Sequence, residues 1–301
     1  MPAARFVVFG EALTDLIHEQ GEHWRAVAGG SCWNVARVGA RLGVPTGFAG
    51  AISRDVFGEE LARLGHEAGL DPRYTQQYDR SPLLAIVASK SPPSYFFVGD
   101  DSADLHFDPD RLPADWLAAA QIVHFGSISL VREPLASRLI ALAQQVKDAG
   151  RRICFDPNHR NLMGEGYPAT LRTMASLADY IKISDEDLAK LFAGQSEHDA
   201  LATLRGWAPT ADILYTRGGD GIALLTPSGA VDRPVFQVDV ADTVGAGDAS
   251  MGGWMASVLT RPDAAPADHL AYAAATAAIA CTHHGAYAAT RAEVEALLAR
   301  A

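Results

Sequence analysis

The run Asp242-Thr243-Val244-Gly245-Ala246-Gly247-Asp248 decides how the rest of the chain reads. Two glycines and an alanine leave the backbone bare where an apolar helical stretch, Ala249 to Leu259, begins. Unpaired N–H groups at such a helix start point at an anion. Asp248 sits on that same first turn. A carboxylate there repels a bound phosphate unless it has a task, and taking a proton from a hydroxyl that attacks the phosphate is such a task. The residue also reads as an ordinary first-turn acid favoured by the helix dipole.

Outward from this turn, short β-branched or aromatic runs alternate with amphipathic stretches. Strands are predicted at Phe6–Phe9, Thr46–Ala51, Ile122–Phe125, Ile153–Asp156, Tyr180–Ile183 and Ile213–Thr216, and helices at Asn34–Leu42, Val56–Ala68, Pro134–Ala149, Pro168–Leu177 and Asp185–Phe192. The pattern is that of an α/β fold, a mostly parallel sheet covered on both faces and joined by right-handed crossovers. Two places break the alternation. Leu13–Ile17, Gly21 and Trp24–Ala28 predict one hairpin, and Leu83–Ser89, Pro92-Pro93 and Tyr95–Val98 predict another. Together they predict a small second sheet, a lid formed by about residues 12–29 and 83–104 on a single domain spanning 1–301. Exposed hairpin edges pair between chains, which predicts a homodimer through the lid.

Composition narrows the function. A chain of 301 residues with 49% hydrophobic and 20% charged residues buries a sizeable core. Its net charge of −11 leaves no basic surplus to neutralise nucleic acid or an anionic membrane, so neither is expected as principal partner. The three cysteines, Cys32, Cys154 and Cys281, are far apart and lack metal-ligand spacing, which predicts reduced thiols and a cytoplasmic location. Phe6-Val7-Val8-Phe9 is too short for an export signal, and the alanine-rich stretch Leu270 to Cys281 suits a buried helix better than a membrane span. The P-loop pattern is absent, as is the dinucleotide fingerprint after the first strand, where Gly10-Glu11-Ala12 stands instead.

Four motifs in order carry a family resemblance: Gly10-Glu11-Ala12-Leu13-Thr14-Asp15, Gly29-Gly30-Ser31-Cys32-Trp33-Asn34, Asp156-Pro157-Asn158-His159-Arg160 and the run 242–248. From Phe6 to about Leu298 the chain resembles the ribokinase-like (phosphofructokinase-B) carbohydrate kinases, and most of all the fructokinases. The resemblance implies a three-layer sandwich with a mostly parallel central sheet and a β-sheet lid, and ATP and Mg2+ as cofactors. It implies Asp248 as base, with the amides of Gly245, Ala246 and Gly247 stabilising the transferred phosphoryl group. Asp15, Gly29, Gly30 and Asn34 would hold the sugar, with Arg160 near the sugar or its phosphate. Read locally, Asn34 is also a helix N-cap, Asp15 a strand-end acid and Arg160 a solvated loop residue.

On the nucleotide side the resemblance places Ser184 and Asp187 near the metal–phosphate group, and Thr216, Gly218 and Gly221 in a nucleotide-binding turn. The bland readings are a helix start capped by Ser184 and a glycine-rich hairpin turn. A monovalent cation such as K+ is implied at Asp242 and the backbone of Val244, Ala280, His283 and Gly285, although Ala289 replaces a serine ligand. The adjacent His283-His284 pair lacks the spacing of a chelating pair. Fructokinases usually carry Gly-Gly-Ala-Pro-Ala-Asn; here Ser31-Cys32-Trp33 replace the small residues, which predicts a reshaped pocket entrance. The aromatic residue and arginine that hold an acidic sugar in ketodeoxygluconate kinases fall at Val98 and Gly99, which favours a neutral sugar, foremost fructose. A ketodeoxygluconate kinase, a ribokinase or nucleoside kinase, and a sugar or nucleotide sensor without turnover stand as alternatives.

Overall fold

The computed structural model describes residues 2–90 and 93–300. In chain order its strands are β1 (Phe6–Phe9), β2 (Leu13–Gln20), β3 (His23–Gly29), β4 (Thr46–Ser53), β5 (Thr75–Tyr78), β6 (Leu84–Lys90), β7 (Pro93–Val98), β8 (Ile122–Gly126), β9 (Arg152–Asp156), β10 (Tyr180–Ser184), β11 (Asp212–Thr216), β12 (Ile222–Thr226) and β13 (Gly229–Arg233). The helices are α1 (Ser31–Arg41), α2 (Val56–Ala68), α3 (Trp116–Ala119), α4 (Leu135–Asp148), α5 (Tyr167–Leu177), α6 (Asp185–Leu191), α7 (Glu197–Trp207), α8 (Ala246–Thr260), α9 (Pro266–Cys281) and α10 (Arg291–Leu298).

Nine strands form the main sheet in the order β13-β12-β11-β10-β9-β8-β1-β4-β5. Every neighbouring pair from β5 to β11 is parallel, and only the β11–β12–β13 end is antiparallel. One apolar layer packs α4, α5 and α7 on one face; the other packs α1, α2, α8, α9 and α10 on the opposite face. Buried on both sides, β1 and β4 carry continuous apolar or small residues, as suits parallel strands, and β8 does so except at the buried His124. The chain leaves β1 for β4 on one side and later returns to β8 on the other, so a crevice opens at the carboxyl ends of β1 and β8.

Helix α8 is apolar around its whole circumference and buried from Ala249 to Leu259, as suits a helix enclosed by others. Glycines permit that enclosure. A Cβ at Gly252 would lie 2.6 Å from Val38 of α1, and one at Gly253 would lie 2.5 Å from the Thr276 hydroxyl of α9. The Trp254 side chain is fully buried and meets the Tyr180 ring edge-on at 5.3 Å.

The second sheet has four strands in the order β3-β2-β6-β7. Each predicted hairpin is antiparallel, and β2 joins β6 in parallel. Pro92 in the second hairpin's turn lies outside the described residues. Residues 99–104 return to the main body, where the Arg132 guanidinium donates to Gly99 O at 2.6 Å, to Ser102 Oγ at 2.8 Å and to Asp104 Oδ2 at 3.1 Å. Register puts Asp15, Val27, Ala85 and Phe97 on one face and Leu16, Ala26, Ile86 and Phe96 on the other. Among the described residues no helix is long and apolar enough to cross a membrane.

Trp254→Ala empties the space between α8 and β10, and large-to-small changes of this kind destabilise by about 3–5 kcal/mol. A urea titration should show a lower midpoint with an unchanged slope.

Candidate active site

Two helix starts meet in the crevice. Gly245, in the left-handed region at φ 78°, is the N-cap of α8, and Asp248 lies in its first turn. The loop after α9 presses against this turn, because a Cβ at Gly245 would lie 2.7 Å from the Ala286 methyl. Opposite stands the start of α1. Ser31 Oγ donates to Asp248 Oδ1 at 2.6 Å, and Asn34 Nδ2 donates to Oδ2 at 2.8 Å. The carboxylate is largely enclosed but keeps an opening to the crevice. Burial raises its pKa, while Ser31, Asn34, Lys182 and Arg160 act to lower it. Asn34 lies within α1, so the N-cap reading fails; Gly30 at φ 105° starts the helix instead. The Asn34 Oδ1 atom is buried without a hydrogen-bond partner.

The small sheet closes the other side. Asp15 projects from β2 across β3, where the bare backbone of Gly29 makes room: a Cβ there would lie 2.7 Å from Asp15 Oδ2. Gly30 in turn rests on the Glu11 backbone, with its Cβ position 2.7 Å from Glu11 O. Burial pushes the Asp15 carboxyl up to about 6; Arg160 opposes this and Asp248 adds to it. Arg160 is half-buried, with Nη1 donating to His159 O at 2.8 Å. Its charge acts on both Asp15 and Asp248, so it belongs to the crevice rather than to a solvated loop.

Beneath the α8 turn lies a buried ion pair. Lys182 Nζ from β10 stands 3.1 Å from Asp156 Oδ2 at the end of β9, and 3.0 Å from where a Gly247 Cβ would be. Burial works against the ammonium, but Asp156, Asp187 and Asp248 more than compensate and raise its pKa. Burial, with Asp187 and Asp248, pushes Asp156 up to about 6 despite Lys182. Glu11, at the end of β1, is buried too, accepting from the Ser31 amide at 3.1 Å and from Ser129 Oγ at 2.5 Å. Sequence reasoning gave no role to Lys182, took Asp156 and Glu11 only as members of family motifs, and took Ser31 only as one of three residues that reshape the pocket entrance. The ion pair joins two strands and the Ser31 bond two helices 217 residues apart, and no local spacing announces either.

The nucleotide-side residues line the same edge of the sheet. Ser184 caps α6 by accepting from the Asp187 amide at 3.0 Å, so the helix-start reading holds. Asp187 is buried and accepts from the His159 amide at 3.1 Å. Thr216 ends β11, and Gly218 is exposed in the single 3-10 turn that joins β11 to β12. Gly221 is buried against β13, with its Cβ position 2.6 Å from Arg233 O, so its need is structural and the hairpin-turn reading holds. Asp242 ties two loops together, accepting from Val244 N at 3.1 Å and Gly285 N at 3.0 Å. Ala280 O accepts from the His283 amide, and Gly285 O from the Tyr287 amide. The His283 ring stacks on Tyr287 at 3.7 Å, with Nδ1 near Thr282 Oγ1 and Ile279 O.

The expected reshaping by Ser31-Cys32-Trp33 falls to Ser31 alone. Cys32 packs beneath Gly10 with Sγ 3.6 Å from Gly126 O, and Trp33 is buried, lining a cavity of about 100 Å3 with Leu61 and Leu70 on the far side of α1. Consecutive positions on a helix point about 100° apart, so one of the three faces the crevice and the other two enter the core.

The profile of the pfkB family carbohydrate kinases matches residues 3–293. The chain is 32% identical to the fructokinase of Klebsiella pneumoniae over 290 residues, covering 93% of this chain and 94% of that one. The structure of a fructokinase with bound ATP from Xylella fastidiosa superposes with a TM-score of 0.89 at 28% identity, covering 98% of each chain. A double mutant of the fructokinase of Vibrio cholerae, with fructose, ADP and a potassium ion bound, gives 0.84 at 27% identity, again covering 98% of each.

Asp15 offers a test of these electrostatics. Its folded pKa of about 6 exceeds the unfolded value, so its contribution to stability is fully present below about pH 4 and is lost as pH rises through about 6. Asp15→Asn should remove on the order of 2–3 kcal/mol of that pH-dependent loss. Urea midpoints from pH 4 to 7 should fall less steeply for the variant; parallel profiles would place the charge elsewhere.

Proposed function

The chain belongs to the pfkB family of carbohydrate kinases and is a phosphotransferase with an alcohol group as acceptor; from that premise we propose that it transfers the γ-phosphoryl group of ATP to the primary hydroxyl of fructose. The observation that carries this reading is the Asp248 carboxylate, set between the first turn of α8, where the Ala246 amide donates to Thr243 O at 3.2 Å, and the sugar-facing residues of α1 and β2. Asn34 Oδ1, buried and unpartnered, supplies an acceptor that a sugar hydroxyl satisfies. Asp15 accepts further hydroxyls from the opposite side.

The hydroxyl oxygen attacks the γ-phosphorus and the bond to the ADP bridging oxygen breaks. Asp248 takes the hydroxyl proton as that bond forms. The amides of Gly245 and Gly247, with that of Ala246 shared with Thr243 O, stabilise charge on the transferred group, and the Lys182 ammonium behind Gly247 adds to the field. A neutral acceptor suits the crevice. Position 99 accepts no side chain, since a Cβ there would lie 2.6 Å from Ser102 Oγ, so no arginine can grip a sugar carboxylate from it.

The oxygen donors of Ser184 and Asp187 suit Mg2+ carried by the nucleotide, which neutralises phosphate charge when bound. Asp242 with the backbone of Val244, Ala280, His283 and Gly285 offers hard oxygens suited to K+ rather than to a transition metal. The similarity to the potassium-bound Vibrio cholerae protein favours that ion. Thr216 and Gly218 lie where the nucleotide would pass over the end of β11.

The small sheet serves as a lid whose closure excludes water from the crevice. Its outer face exposes Trp24, Phe96 and Val98, an apolar surface suited to a second copy of the chain. Absence of a basic surplus, reduced cysteines and the lack of a membrane-crossing helix among the described residues favour a cytoplasmic enzyme without nucleic-acid or membrane partners.

ADP release from Mg-ATP should require fructose and not ribose, ketodeoxygluconate or adenosine, and K+ should raise it. Turnover with another sugar alone would replace the acceptor. Asp248→Asn should lower turnover by a factor on the order of 10² or more with binding of fructose and ATP retained; wild-type turnover would remove Asp248 as base. In light scattering the wild-type chain should appear at twice its 31.9 kDa mass and the Phe96→Asp variant at that mass. A monomeric wild type would refute the dimer.

A further inference from the structure

We propose that Ser31 is a positioning residue for phosphoryl transfer, its hydroxyl holding the Asp248 carboxylate ionised and in one orientation. The inference rests on the reading of Asp248 as base. Ser31 is the first residue of α1, and its amide is already engaged by Glu11 Oε1 at 3.1 Å. Its hydroxyl caps nothing in its own helix: the N-cap is Gly30, without a side chain, and the hydroxyl instead donates 2.6 Å to Asp248 Oδ1. The serine's position is also fixed from below. Glu11 is anchored at its other oxygen by Ser129 at 2.5 Å, tying the start of α1 to the segment after β8.

A donor to the charged form of a carboxylate favours ionisation. Asp248 needs that help, because enclosure disfavours its charge, and that charge in turn raises the neighbouring carboxyls of Glu11, Asp15 and Asp156. Lys182 and Arg160 are the cations that face it, and the Cys32 thiol beside it is held protonated by burial and by these acids. A carboxylate oxygen has two acceptor sites, so Ser31 leaves one on Oδ1 for the attacking hydroxyl. Asn34 alone holds the other oxygen, and a carboxylate held at one end rotates about its bond to the chain.

The test compares kcat/KM against pH for the wild type, Ser31→Ala, Ser31→Thr and Asp248→Asn, with fructose as acceptor. Alanine is tolerated in a first helical turn, so folding is retained. Ser31→Ala should move the acidic limb upward by roughly one pH unit, because a proton now competes better for the carboxylate. Plateau kcat should fall about tenfold with KM for fructose unchanged. Ser31→Thr, which keeps the hydroxyl, should restore the limb. An acidic limb superimposed on the wild type overturns the proposal, as does a raised KM with an unmoved limb, which would make Ser31 a sugar contact. Wild-type turnover by Asp248→Asn would instead sink the base assignment itself; an inactive Asp248→Asn with an unmoved Ser31→Ala limb would sink only the role of Ser31.

Discussion

The architecture turns on one electrostatic constraint: four carboxylates, Glu11, Asp156, Asp187 and Asp248, gather where the parallel strands end, with Lys182 as the ammonium buried among them. Removing carboxylates from water disfavours their charge, and a single ion pair only partly offsets that. The remaining compensation is built from oriented donors. Ser31 and Asn34 serve Asp248, the Ser31 amide and Ser129 serve Glu11, the Asn158 amide serves Asp156, and the His159 amide serves Asp187. Ser129 and His159 come from segments that follow a neighbouring strand, Asn158 from the segment that follows the strand of Asp156 itself, and Ser31 and Asn34 from the helix that leaves the small sheet.

This concentration of negative charge also frames how the crevice treats its substrates. An anionic nucleotide entering alone would meet the repulsion of several carboxylates. A neutral polyol meets a surface rich in acceptors, which suits many hydroxyl donors at once. On the proposed reading, selectivity arises from the count and direction of hydroxyl groups, with Asp15 on one sheet and Asn34 and Asp248 in the other layer as the acceptors.

Much of this was legible in sequence where the signal is local. The parallel strands are short apolar runs, α2 spans Val56–Ala68 as periodicity predicts, and the strands of both predicted hairpins pair antiparallel. The strands β5 and β13 were not anticipated because polar residues interrupt the pattern at the sheet margins; β12 was missed although its run Ile222–Thr226 is apolar up to its last residue. Helix α7 and helix α10 bury few residues each, so their apolar stripe is thin. At the site, Asp15, Asn34, Arg160 and Asp248 come together, but the Lys182–Asp156 pair and the Ser31 bond depend on elements that only the tertiary fold brings together. Trp33 misled for a related reason: helical phase turns it away from the crevice that its neighbour Ser31 faces.

From Ala249 to Leu259 helix α8 has no surface of its own, since glycine-sized contacts press it against α1 on one side and α9 on the other. Its first turn carries the proposed base, so an altered helix axis is also an altered trajectory for proton transfer. Evolution of a new acceptor is therefore channelled away from this helix. The strands of the small sheet, which carry Asp15 and are tied to the body by Arg132 and a few loop contacts, are the part of the molecule where sequence drift can be sampled without dismantling the chemistry.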